Sequence, residues 1–195
     1  MMARTEATMA ARMELDGAAD VCRPGDLDAF ETAYRRHHAL VFRYAYHMLA
    51  NWEEADDAAQ DTFVRAFQAL HRFRGDCPLE TWLLRICANT CRDRLRSRRR
   101  GAEMPAGAGL EHLEDPLGDP ALPLERRMRA IAVRAAIASL RPAEREVIVL
   151  RDLEGLGPEE TARVLGCSRA CVHVRLFRAR RRLKDRLAGV IETEE

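Results

Sequence analysis

The chain is 195 residues long, which suits one ordinary domain or two small ones, and its 47% apolar but 6% aromatic content favours thin helix-packed layers over large β-sandwiches. With 11 Gly and 8 Pro, most of them in three short clusters, it is neither collagen-like nor disordered throughout. Its 32 basic and 31 acidic residues leave a formal charge of +1, and no apolar run reaches the roughly 18–20 residues of a bilayer span, which excludes a transmembrane helix.

Residues 1–25 read as a disordered tail in which Met1, Met2, Met9 and Met13 are alternative starts. The tail lacks the continuous apolar core of a signal peptide, so a cytoplasmic location is expected. Cys22, Cys77, Cys87, Cys91, Cys167 and Cys171 are then expected as thiols rather than a disulfide framework. From Asp28 the period becomes helical: Phe30, Ala33, Tyr34 and His37, then Val41, Tyr44, Ala45 and Met48, recur at three- and four-residue steps up to a break at Asn51. A second helix is predicted over about 53–70 and a third over about 79–98, with the loop 73–78 between them.

Residues 101–125 hold four prolines, four glycines, six acids and no basic residue, the composition of a flexible acidic linker. Helical period resumes near Arg126 and runs through Leu140, and Pro142 opens a further helix. A short helix ending at Leu165, a tight turn at Gly166-Cys167-Ser168 and a long basic helix over about 169–187 complete the chain. The expected fold is therefore all-α, with two small helical domains at 26–100 and 126–195.

The near-neutral total hides an uneven distribution. Net charge is −2 over 1–27, +3 over 28–100, −6 over 101–125 and +6 over 126–195. Every basic residue except Lys184 is Arg, a planar, forked donor suited to phosphates and base edges. The same bias also fits a GC-rich genome.

The strongest local signal is the short helix, Gly-containing turn and basic helix at the carboxyl end, which has the spacing of a DNA-binding helix-turn-helix. At 100° per residue, Val172, Leu176, Ala179 and Leu183 form one buried stripe, and Ala170, Cys171, His173, Val174, Phe177, Arg178 and Arg181 lie opposite. Ser168 is placed to cap the helix and leave its first turn open to a phosphate or base edge. In the second helix Ala59, Phe63, Ala66, Phe67 and Leu70 make the predicted core stripe, and Asp57, Gln60, Asp61 and Val64 share an exposed face able to dock a protein. Phe73, Arg74, Gly75 and Trp82, followed by Asn89, Arg92 and Arg96 at helical spacing, combine stacking planes with forked cations, as unpaired bases require. Taken alone, Phe73 and Trp82 read more readily as core residues than as a base platform, and composition alone favours a solvated acidic helix start stabilised by the helix dipole.

The stretch EADDAAQDTFVRAFQALHRFRGDCPLETWLLRICANTCRDRLR resembles region two of bacterial sigma factors of the extracytoplasmic-function (ECF) group of the sigma-70 family, and LRPAEREVIVLRDLEGLGPEETARVLGCSRACVHVRLFRARRRLKDRL resembles region four. With the helices before them the resemblance spans about 28–187, both blocks standing in order around the linker. It implies a promoter-specificity subunit of RNA polymerase rather than an enzyme. Asp57, Gln60 and Asp61 match the helix that binds the polymerase β′ clamp, with further contact to the β subunit expected. The loop Phe73, Arg74, Gly75, Asp76 and Cys77, with Trp82, Asn89, Arg92 and Arg96, matches the element that melts and reads single-stranded minus-ten DNA, holding an extruded base. Ser168, Arg169, Cys171, His173, Val174, Arg175, Arg178 and Arg181 match the reader of the minus-thirty-five duplex. The resemblance also implies control by an anti-sigma factor, and no metal or other cofactor.

Departures from the family pattern concern sequence preference. A recognition-helix run that is often Gly-Thr-Val-Lys-Ser-Arg is here Ala170, Cys171, Val172, His173, Val174 and Arg175, so a thiol, an imidazole and an apolar side chain replace three polar ones. Val174 is suited to a thymine methyl. Gly157 stands where Ser often caps the preceding helix, a change costing a few tenths of a kcal/mol. A stand-alone helix-turn-helix regulator with thiol or metal sensing, through Cys87 and Cys91 or through Cys167, Cys171 and His173, is the alternative. Catalysis by His37 and His38 with Asp28 and Glu31, or by His71 with Asp76, finds no support in a nucleophile elbow, P-loop or HExxH motif.

Overall fold

A computed structural model describes residues 27–101 and 123–191, and all regular structure among them is helical. Helix α1 is Leu27–Leu49, α2 is Trp52–Ala69 and α3 is Leu79–Gly101. Helix α4 is Leu124–Ala138, α5 is Pro142–Ile148, α6 is Pro158–Leu165 and α7 is Arg169–Ile191. Each helix anticipated from periodicity is present, with ends shifted by at most four residues, the largest shift being the extension of α7 to Ile191. The tail at 1–25 and most of the linker at 101–125 lie outside the described residues, although α4 takes the last two positions assigned to the linker.

Helices α1, α2 and α3 form the first domain around Val41, Tyr44, Ala45, Met48, Ala59, Phe63, Leu84 and Ala88, all buried. Small residues at Ala55, Ala58, Ala59 and Ala66 let α2 lie close against α1, and Asn51 caps α2 by accepting a 2.9 Å hydrogen bond from the Glu54 N–H. Phe67 departs from the predicted core stripe. It sits at the edge of the bundle, 42% exposed, with its ring edge-on to Phe30 at 5.1 Å. The wheel placed it on the buried side, but only part of the ring is covered there, by Phe30 of α1.

Tyr44 carries a consequence for stability. Its side chain is fully buried, its hydroxyl finds no hydrogen-bond partner among the described residues, and burial holds the phenol protonated by raising its pKa well above 10. A buried hydroxyl without a partner costs roughly 1–3 kcal/mol of desolvation. Tyr44→Phe should therefore leave thermal stability unchanged or raise it by about 1 kcal/mol, and a lower melting temperature by calorimetry would show that the hydroxyl is bonded.

The second domain is built from α4 to α7 around Leu140, Val147, Ile148, Leu150, Leu156, Val164, Val172 and Leu176. Helix α5 runs into a five-residue π-helical segment, Val149–Leu153, where the Glu154 N–H reaches the Val149 carbonyl at 2.9 Å. The period of the sequence gave no sign of this wider turn. It rotates the chain so that Leu150 and Leu156 both enter the core while Glu154 turns toward the first domain.

The two domains are packed together. Helix α3 lies against α6, and α1 lies against α4, α5 and the π-helical segment, so that one apolar core runs through both. This closeness was not readable from two domains and a linker.

Candidate nucleic-acid interface

The helix-turn-helix is α6, the turn 166–168 and α7. Helix α6 lacks a capping side chain at Gly157, and the Glu160 carboxylate compensates by accepting a 2.6 Å hydrogen bond from the Gly157 N–H. Gly166 closes α6 in the left-handed conformation, at φ 63°, where any side chain would be strained. Ser168 caps α7, its Oγ accepting from the Cys171 N–H at 3.2 Å. Ser168→Ala should cost about 1 kcal/mol without loss of the fold, seen as a lower midpoint in urea, and an unchanged midpoint would deny the cap.

Val172, Leu176 and Ala179 are buried, and Leu183 packs against the same core, as the helical phasing predicts. Arg169, His173, Val174, Arg178 and Arg181 are exposed, whereas Cys171 and Arg175 are half-buried. Ion pairs sort the arginines of this helix. Arg180 is held by Asp152 at 2.6 Å, Arg182 by Glu144 at 2.6 Å and Arg169 by Glu159 at 2.9 Å, while Arg178 and Arg181 have no acidic partner among the described residues. Phe177, which the sequence placed on the outer face without a role, is 70% exposed between Val174 and Arg178. An aromatic side chain so exposed on a positive helix extends the candidate surface, and its position three residues after Val174 was the available signal.

In the first domain Asp57 and Gln60 are exposed and Asp61 is half-buried, on the face of α2 that also shows Val64. This face is not electrostatically free. Arg94 from α3 binds Asp61 at 2.6 Å and lies 3.6 Å from Asp57, and Gln60 donates to Asp56 at 2.7 Å. The carboxylates hold the Arg94 guanidinium charge more firmly than usual, outweighing its partial burial.

Phe73 and Trp82 are half-buried, with ring centroids 5.1 Å apart, and Arg74, Gly75 and Asp76 are exposed in the loop before α3. Gly75 adopts φ 70° with open space around its Cα, so the loop turns there without crowding. Asn89 and Arg96 are exposed, Arg96 being paired with Asp93 at 3.3 Å. Arg92 has a different environment from the one its helical spacing suggested. Its Nε meets the buried Glu146 carboxylate of the second domain at 2.6 Å, and its Nη1 donates to Asn89 Oδ1 at 2.8 Å.

No group of three metal-ligating side chains occurs among the described residues. Cys87 and Cys91 are buried with sulfurs 4.0 Å apart. Burial and the neighbouring Cys171 raise the Cys167 thiol, which keeps it protonated and a poor nucleophile at neutral pH.

A helix-turn-helix packed against a second helical domain that carries an acidic helix face and an aromatic-arginine loop is the architecture of a helical DNA-binding protein. Comparison with known proteins resolves the class. The sigma-70 region 2 family profile matches residues 33–101, and the sigma-70 region 4 profile matches residues 130–183. The ECF RNA polymerase sigma factor SigM of Mycobacterium tuberculosis is 37% identical over 171 residues, covering 87% of this chain and 82% of SigM. The solved structure of CnrH in complex with the cytosolic domain of CnrY matches with a TM-score of 0.62 at 29% identity, over 88% of this chain and 92% of that one. RpoE of Bartonella quintana, solved with the anti-sigma factor NepR, has the same fold, with a TM-score of 0.65 at 24% identity over 83% of this chain and 98% of that one. The protein belongs to the ECF group of RNA polymerase sigma factors, the promoter-recognising factors of transcription initiation. None of its described helices is long and apolar enough to cross a membrane.

Proposed function

We propose that the chain docks on core RNA polymerase through Asp57, Gln60 and Asp61, with Val64 adding apolar contact beside them. The Ser168-capped end of α7 then enters the major groove of the upstream element. Arg178 and Arg181 reach base edges or phosphates there, His173 and Arg169 flank them, and Val174 with Phe177 packs on thymine methyls. Downstream, the loop 73–77 receives an unpaired base, with Phe73 and Trp82 as the stacking platform and Asn89, Arg92 and Arg96 along the strand. Polymerase carries out the chemistry, and this chain supplies sequence preference and stabilises the open duplex.

The observation that carries this reading is the sorting of charge on α7. Arg180 and Arg182 are held in ion pairs of the fold, and Arg178 and Arg181 are left to solvent on the face opposite the buried stripe. An anti-sigma factor is the expected regulator, supported by the complex in which the similarly folded RpoE is bound by NepR. The test is transcription by bacterial core enzyme, with and without this protein, on fragmented DNA of its own genome. New starts preceded by two spaced motifs are expected. An active core that gains no starts from the folded protein would overturn the reading.

A further inference from the structure

Two unpaired arginines share one groove. Arg85 of α3 and Arg163 of α6 are both exposed, and with Ala162, Gly166, Cys167 and Ser168 they line an open groove of about 490 Å³. Neither guanidinium has an acidic partner among the described residues. Further along α3, by contrast, Arg92, Arg94, Arg96 and Arg98 are each paired, with Glu146, Asp61, Asp93 and Glu54 in turn. No carboxylate lines the groove. Cys77, in the loop before α3, lies within reach of both guanidinium charges, and its hydrogen-bonded neighbour Asp76 supplies one negative charge against two. The groove therefore keeps a net positive charge that the fold itself does not neutralise.

We propose that this groove is a binding site for a small anion bearing two linked phosphoryl groups, with Arg85 and Arg163 each forking onto one of them. A guanidinium presents two parallel N–H donors to two phosphate oxygens, so two arginines on separate helices match two phosphoryl groups better than one. Ser168 adds a neutral donor. Its Oγ accepts from the Cys171 N–H, which leaves the hydroxyl proton free to donate to a further oxygen. Gly166, held in the left-handed conformation, has open space where a Cβ would stand, so the wall is bare backbone at that point. The volume of about 490 Å³ falls within the range of small-ligand sites. An anion between the arginines also relieves the repulsion of two like charges facing one groove. The inference does not rest on the promoter reading, because neither arginine is among the contacts assigned there to core enzyme or to DNA. Backbone phosphates of DNA share this chemistry, and the experiment below separates the two sources.

The site is tested on the full chain by calorimetric titration with inorganic pyrophosphate at about 0.15 M salt, where loose surface attraction is screened. Wild type should bind one equivalent, and orthophosphate should bind about tenfold or more weakly, since it engages one guanidinium only. Pyrophosphate should also raise the melting temperature. Both arginines are exposed and unpaired, so Arg85→Ala and Arg163→Ala should fold as wild type by circular dichroism while each weakens pyrophosphate by about tenfold or more. Arg181→Ala, which removes an equally unpaired arginine outside the groove, should change nothing. Absence of saturable binding by wild type overturns the site, as do groove variants that bind like wild type, an equal loss in Arg181→Ala, or orthophosphate binding as tightly as pyrophosphate. A promoter duplex is titrated in parallel. If the groove variants weaken the duplex while wild type takes up no pyrophosphate, the arginines are DNA backbone contacts and the small-anion assignment falls.

Discussion

Asp61→Arg should weaken binding to core RNA polymerase by about thirtyfold, roughly 2 kcal/mol, because reversing a charge on a complementary interface adds repulsion to the lost attraction. The fold should survive. Asp61 is half-buried and, among the described residues, pairs with Arg94 across the α2–α3 surface, a contact partly open to water and worth at most about 1 kcal/mol after screening. The new Arg would face Arg94, so a slightly lower melting temperature is expected alongside the lost affinity. Arg94→Ala supplies the contrast, since it frees Asp57 and Asp61 and should leave core affinity unchanged or improved. Titration of labelled protein against core enzyme reads both. Equal affinity of Asp61→Arg and wild type would remove the acidic face of α2 from the docking surface.

Arg178→Ala should cost about 1–3 kcal/mol in upstream promoter affinity if the guanidinium forks onto a base edge. Truncation leaves no broken ion pair, because Arg178 is exposed and has no acidic partner among the described residues, so stability should be unaffected. Comparing the preferred upstream sequence with single-base variants of it separates the roles. A base contact predicts relaxed preference at one position, whereas a phosphate contact predicts a uniform loss and a salt slope smaller by about 1. Arg180→Ala serves as the control: its loss frees Asp152 and should reduce stability by a few tenths to about 1 kcal/mol with less effect on DNA. Unchanged transcription from the same promoter with Arg178→Ala would take this residue out of the interface.

Local order is where the sequence was most informative. The stripe Val172, Leu176, Ala179 and Leu183, the Gly166 turn and the Ser168 cap were all readable, because each depends on neighbours three or four residues away, and the structure places them as expected. Two sequence blocks in order around a linker were likewise enough to reach the family. Phe67 shows the limit of that reasoning: helical phase states which way a side chain points but not how wide the neighbouring helix is.

Charge partners show the limit more sharply. Asp61 and Arg94 are 33 positions apart, Arg92 and Glu146 are 54, and Arg43 and Glu154 are 111, and no spacing rule links such pairs. Nothing in the period of 142–154 announced the π-helical segment that turns Glu154 toward Arg43. The sequence by itself determined the helices, their buried faces, the helix-turn-helix and the family, since these follow from local periodicity, turn chemistry and motif order. Only the tertiary structure decided which arginines are spent on the protein's own carboxylates and which face solvent, because desolvation and long-range ion pairing are set when distant helices come to share one core.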